Sequence, residues 1–156
     1  GTRFTYAVGR LALWSATPGR VDPGGEVLRQ GGFDRLAIAD PRLAPYGAAA
    51  MEVMERLGLL PQLRPKLVQG DSIAQAWQFV ASGNAALGFV ALSQVQAEGR
   101  ITRGSAWVVP AQWHAPLRQD AVLLLPGRDK PAARDLLAFL KSDEARAIIR
   151  AHGYEP

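Results

Sequence analysis

Ala50, Val53, Met54 and Leu57 recur at i, i+3, i+4 and i+7, so the stretch from Leu43 to Leu57 predicts an α-helix with one buried face. The same spacing returns in Ile73, Ala76, Trp77 and Val80 and predicts a helix over 73–81, ended by Ser82-Gly83-Asn84. Elsewhere the apolar runs are short and continuous. Arg35 to Ala39, Lys66 to Val68 and Leu87 to Leu92 predict compact strands, the last nearly all apolar, as a strand covered on both faces would be. Phe4 to Trp14 is rich in β-formers and predicts one more strand, with Gly9 as a bulge or a close backbone approach. Trp107 to Val109 and Ala121 to Leu125 predict further strands. Ser15 to Gly25, with two prolines and three glycines, is a loop before a short helix from Glu26 to Gln30. A turn of helix is expected near Gln94. Pro131 to Leu140 and Asp143 to Ala151 predict closing helices, the second capped by Ser142 with Asp143 and Glu144 at the positive end of its dipole.

Strand, helix, strand in this rhythm implies an α/β fold with parallel pairing through right-handed crossovers. Two strand-to-helix turns then fall on one edge of the sheet, where ligands of open α/β sheets collect. At the first, Asp40-Pro41 closes a strand and Pro45 opens the helix, a position at which its missing N–H is no loss. Tyr46 and Gly47 follow with no Ser, Thr, Asp or Asn at the cap, so their amides are free for water or for an anion. The second turn is Asp71-Ser72-Ile73, where a helix N-terminus again faces outward unless Asp71 or Ser72 caps it. From these residues alone, two readings stand: ordinary solvated helix starts, or a paired site for a small anion.

Composition narrows the classes. The chain has 156 residues, 48% apolar and 21% charged, as expected of one soluble globular unit with a core. No run approaches a membrane span, Gly1 to Val8 does not read as a signal peptide, and the absence of cysteine excludes disulfides and Cys-based metal sites. The net charge of +4 invites nucleic acid, but the 18 Lys and Arg are scattered and form no run of adjacent bases. Catalytic signatures are missing: there is no Gly-x-x-x-x-Gly-Lys loop and no Gly-x-Ser-x-Gly elbow, and His114 and His152 sit in no triad context. Asp120, Asp135, Asp143 and Glu144 read as solvated charges or caps, and Trp14, Trp77, Trp107 and Trp113 as packing residues.

Four runs carry a resemblance: 43–50 (Leu-Ala-Pro-Tyr-Gly-Ala-Ala-Ala), 70–95 (opening Gly-Asp-Ser-Ile-Ala-Gln-Ala-Trp), 119–124 and 139–154. In order and spacing they resemble the periplasmic molybdate-binding proteins of ABC importers, over nearly the whole chain. The resemblance implies a type II periplasmic-binding-protein-like fold. It would be a three-layer α/β lobe with a central, mostly parallel sheet, plus the C-terminal part of the other lobe. Residues 10–113 would form the second lobe, and 1–9 with 114–156 the hinge strands and C-terminal helices of the first. It also implies a tetrahedral oxyanion, molybdate or tungstate, held between the lobes. Amides of Tyr46 and Ile73 would be donors, with Gly47 and Ser72 adjacent and no side chain coordinating the metal directly. Some family members add a tyrosine hydroxyl where this chain has Ala91, and the phenol of Tyr46 is the expected replacement.

The family's first-lobe ligands come from an N-terminal segment that this chain is expected to lack. The remaining implications are a non-enzymatic protein with no cofactor, a periplasmic or extracytoplasmic location, and monomeric state when complete. Its partners would be the permease and ATPase subunits of the importer, and not nucleic acid. Two other classes are compatible with the residues. One is the effector-sensing domain of a transcription regulator of the same fold, which needs a DNA-binding segment upstream. The other is a small α/β enzyme acting on an anionic substrate, for which Ser72 is the candidate nucleophile at the two turns.

Overall fold

The computed structural model describes residues 2–156. Its elements, in chain order, begin with β1 (Phe4–Gly9), β2 (Leu11–Ser15), α1 (Val27–Gln30), β3 (Leu36–Ala39), α2 (Pro45–Arg56) and α3 (Leu60–Leu63). They continue with β4 (Leu67–Gly70), α4 (Ile73–Ala81), β5 (Leu87–Ala91), α5 (Leu92–Val95), β6 (Gln96–Ala97), β7 (Arg100–Ile101) and β8 (Ser105–Val108). Last come β9 (Leu117–Ala121), α6 (Pro131–Phe139) and α7 (Asp143–Ala151).

Five strands form the central sheet in the order β4-β3-β5-β2-β8. β3 pairs in parallel with β4 and β5, whereas β2 pairs antiparallel with both β5 and β8. Four strands therefore run one way and β2 alone runs against them, so the sheet is mixed but mostly co-directional. Alternation along each strand splits the core into two layers. Leu11, Leu13, Leu36, Ile38, Leu87 and Phe89 face α2, whose Ala49, Ala50, Val53 and Met54 are buried against them. Ala12, Trp14, Ala37 and Val90 face the other way and receive Val80 of α4. Gly88 permits this contact, since a Cβ there would lie 2.8 Å from Val80 Cγ2.

β1 and β9 form a separate antiparallel pair, and the Val8–Glu155 bridge ties the C-terminal end to it. Two expected strands are corrected here. Phe4 to Trp14 is not one strand: the chain changes partner at Arg10, leaving β9 for β5 and β8. Residues after Ala121 are not a strand either, because pairing with β1 ends at Ala121 while Val122, Leu124 and Leu125 stand exposed. The apolar run there marks a surface. α7 is capped as expected, Ser142 Oγ accepting the Ala145 N–H at 3.1 Å. Among the described residues no helix is long and apolar enough to cross a membrane.

Candidate functional site

The carboxyl ends of β3 and β4 lie side by side, in register from Leu36 opposite Leu67 to Ala39 opposite Gly70. One more bond extends the ladder beyond the strands, Asp40 N–H donating to Gly70 O at 2.7 Å. From this edge the chain enters α2 after five residues and α4 after two, so both N-terminal turns leave the same edge while the helix bodies cover opposite faces. The crossings to the β1–β9 pair also open here, because Leu11 lies opposite Ala91 and Leu92 N–H donates to Arg10 O.

Tight approach at both turns depends on glycine. A Cβ on Gly47 would lie 2.1 Å from the Ala39 carbonyl oxygen, and one on Gly70 would lie 2.9 Å from the Ala76 nitrogen. The first turn of α2 spends nearly all its donors within the chain. Pro45 has none, and the Gly47 and Ala48 N–H groups donate to Ala44 O at 3.0 and 3.3 Å. Only the Tyr46 N–H finds no acceptor among the described residues. The expectation that Gly47 also offers a free amide is thereby corrected: the turn closes tightly enough for Gly47 to reach Ala44.

In α4 the cap is Ser72 and not Asp71. Ser72 Oγ accepts the Gln75 N–H at 3.2 Å and Ser72 O accepts the Ala76 N–H, leaving Ile73 and Ala74 with uncommitted amides. Asp71 is exposed; its amide donates to Gln75 Oε1 at 2.7 Å, and its carboxylate forms no ion pair among the described residues. The phenol of Tyr46 turns away from the helix axis onto the strand junction, where a Cβ on Gly9 would meet its oxygen at 2.1 Å. Burial, and to a lesser degree nearby Tyr154, pushes this phenol well above its ordinary pKa, so it stays neutral.

Sequence reasoning missed two contributors. Gln94 accepts the Ala91 N–H at 3.0 Å and donates to Ile73 O at 3.2 Å, clamping the start of α4 to the end of β5. Its signal was a glutamine three residues past a strand end, the reach-back position of a capping box. Asp40, taken only as a strand terminator, is buried and bonded to Arg42; an Asp-Pro pair after an apolar strand is the pattern of an Asx-turn. Among the described residues no cluster of three or more His, Cys, Asp or Glu is placed to hold a metal ion.

Residues 1–155 match the family model of bacterial extracellular solute-binding proteins. The chain is 57% identical over 154 residues to the molybdate-binding protein ModA of Azotobacter vinelandii, and 56% identical over 155 residues to that of Rhodobacter capsulatus. It spans 61% and 60% of the length of these two relatives. Among solved structures, the Azotobacter vinelandii periplasmic molybdate-binding protein superposes with a TM-score of 0.91 at 45% identity, covering all of this chain and 68% of that one. The substrate-binding domain of a molybdenum ABC transporter from Clostridium difficile shares the fold, with a TM-score of 0.75 at 24% identity.

Proposed function

This chain belongs to the bacterial extracellular solute-binding protein family, and on that premise we propose that it forms one wall of an oxyanion site for molybdate or tungstate. Residues 10–113 act as one lobe, carrying the Tyr46 and Ile73 amides. Residues 1–9 and 114–156 belong to the other. The complete protein would close its lobes on the anion in an extracytoplasmic compartment and pass it to the permease and ATPase of an ABC importer.

The observation that carries this reading is the pair of uncommitted amides, Tyr46 and Ile73, on turns that leave adjacent ends of two parallel strands in register. Oriented N–H dipoles can replace water around a dianion, each charge-assisted bond contributing about 1.5–3 kcal/mol. A wall made of donors also disfavours a protonated anion, whose O–H would find no acceptor. Asp71 does not oppose this, because an exposed carboxylate can turn to solvent. A catalytic role finds no support among the described residues: Ser72 Oγ serves as a helix cap by accepting the Gln75 N–H, and no hydrogen bond links it to His114 or His152 as a base.

Titration of sodium molybdate into the isotope-labelled chain tests the site. The Tyr46 and Ile73 amide resonances are expected to move together, with weak and salt-sensitive affinity, since further donors would come from the rest of the protein. Ile73→Pro, which deletes the amide at a helix start that tolerates proline, is expected to weaken binding by about 1.5–3 kcal/mol while folding by circular dichroism. Ile73→Ala should bind like the parent. Resonance shifts confined to other residues would refute the site. Submicromolar binding by a chain verified to start at Gly1 would refute the division of donors between lobes.

A further inference from the structure

Asp40 is a buried carboxylate in a place where an exposed loop would ordinarily offer only solvent. The residue is 6% exposed, although Arg42, its one cationic partner among the described residues, has a side chain 83% exposed. Oδ1 accepts the Arg42 backbone N–H at 2.9 Å and Arg42 Nε at 3.2 Å, and Oδ2 accepts Arg42 Nη2 at 2.8 Å. The backbone of Asp40 is equally occupied. Its carbonyl accepts the Leu43 and Ala44 N–H groups at 3.0 and 2.9 Å, and its amide donates to Gly70 O, the last residue before the second turn.

One residue thus closes the loop that delivers Tyr46 and ties it to the strand that delivers Ile73. Removing a carboxylate from water is costly unless its bonds are made, and here every side-chain bond runs to Arg42, inside the loop itself. The Arg42 guanidinium beside Asp40 holds its carboxyl below the usual carboxylate range, so the loop stays braced by an ionised acceptor at neutral pH.

Resting on the oxyanion reading above, we infer that Asp40 is a positioning residue that fixes the Tyr46 N–H relative to the Ile73 turn, with Arg42 as its counter-charge. It touches no ligand. Its effect is on where a donor points, and so on affinity, separately from overall stability.

The test compares Asp40→Ala, Asp40→Asn and, as a stability control, Leu63→Ala, a core substitution in α3 that removes no bond of the 41–46 loop. Backbone order parameters of the anion-free chain and sodium molybdate titration are both read by amide resonances. In Asp40→Ala the order parameters over residues 41–46 should fall from the rigid range near ~0.85 toward ~0.6, with binding about tenfold weaker. Asp40→Asn still offers an oxygen to the Arg42 N–H and should restore loop order and most of the affinity. Leu63→Ala should lower the melting temperature and leave both readouts alone. An ordered loop in Asp40→Ala, or an equally loosened loop in Leu63→Ala, overturns the inference. Should Asp40→Ala not fold, Arg42→Ala decides, because it deletes the guanidinium bonds to both carboxylate oxygens: a loosened loop over residues 41–46 with weaker binding supports the inference, and a parent-like loop overturns it. A parent chain whose Tyr46 and Ile73 amides ignore molybdate refutes the oxyanion reading, and the order parameters then judge the positioning role alone.

Discussion

Gly47 and Gly9 exclude a side chain for different reasons, and substitution should separate them. A Cβ on Gly47 would meet the Ala39 carbonyl, which is backbone and cannot yield, so Gly47→Ala is expected to cost about 1–3 kcal/mol in urea unfolding. It should also displace the Tyr46 amide resonance. A Cβ on Gly9 would instead meet the tip of the Tyr46 ring. Tyr46→Phe removes the colliding oxygen, so Gly9→Ala should be less costly in the Phe background than in the parent, with a coupling of about 0.5 kcal/mol or more in a double-mutant cycle. Acid stability has its own residue-scale signature. Asp40 has a folded-state pKa lowered first by the Arg42 side-chain bonds, so its contribution is present above the ordinary carboxylate value and is lost as pH falls through the lowered one. Asp40→Asn should therefore flatten the stability profile in that acid range, measured by thermal melts from neutral pH downward.

Helix α4 separates the part a cap plays in stability from the part proposed for the Ile73 amide in binding. Ser72→Ala removes the acceptor of the Gln75 N–H and should cost about 1 kcal/mol of stability, yet the Ile73 amide remains and the molybdate response should persist. Gln94→Ala leaves the cap intact and frees Ile73 O from the β5 end, so it should weaken the response with a smaller loss of stability. Thermal melts beside the titration distinguish the two. The two helices whose bounds the sequence located best, Ile73–Ala81 and Asp143–Ala151, each open on a serine cap and are followed two residues later by a glycine at positive φ. Strands were less legible, because β-formers from Phe4 to Trp14 carry no sign that the chain exchanges one partner strand for two others at Arg10. The site divides the same way. In the proposed site, Tyr46 and Ile73 stand out in the sequence through an uncapped helix start and a family pattern, whereas Asp40 and Gln94 leave only weak local signs, an Asp-Pro pair and a glutamine three residues past a strand end, and their bonds to Gly70 and Ile73 join segments distant in the chain.

At the scale of the whole molecule, most of the large exposed apolar side chains fall in the last quarter of the chain. Leu124, Leu125, Leu136, Phe139 and Ile148 are 66%, 80%, 57%, 41% and 48% exposed, and α6 buries none of its residues. Such a surface is an association liability. The chain is expected to bind a hydrophobic dye and to self-associate with concentration, and Leu125→Glu with Phe139→Glu should reduce both without lowering the melting temperature; sedimentation velocity reads the outcome. The β1–β9 pair carries a consequence for the order of assembly. Thr5 and Asp120, joined across it, are 115 residues apart, whereas β3 and β4 close a loop of roughly thirty residues. Loop-closure entropy makes the longer link about 1 kcal/mol harder to form unaided. The central sheet, once built, brings Arg10 and Val109 onto neighbouring places, since Val109 N–H donates to Leu11 O, and shortens the remaining search to a few residues on each side. β1 should therefore join β9 as a late, fast event, and refolding monitored by hydrogen exchange should protect Leu13 and Ile38 before Thr5.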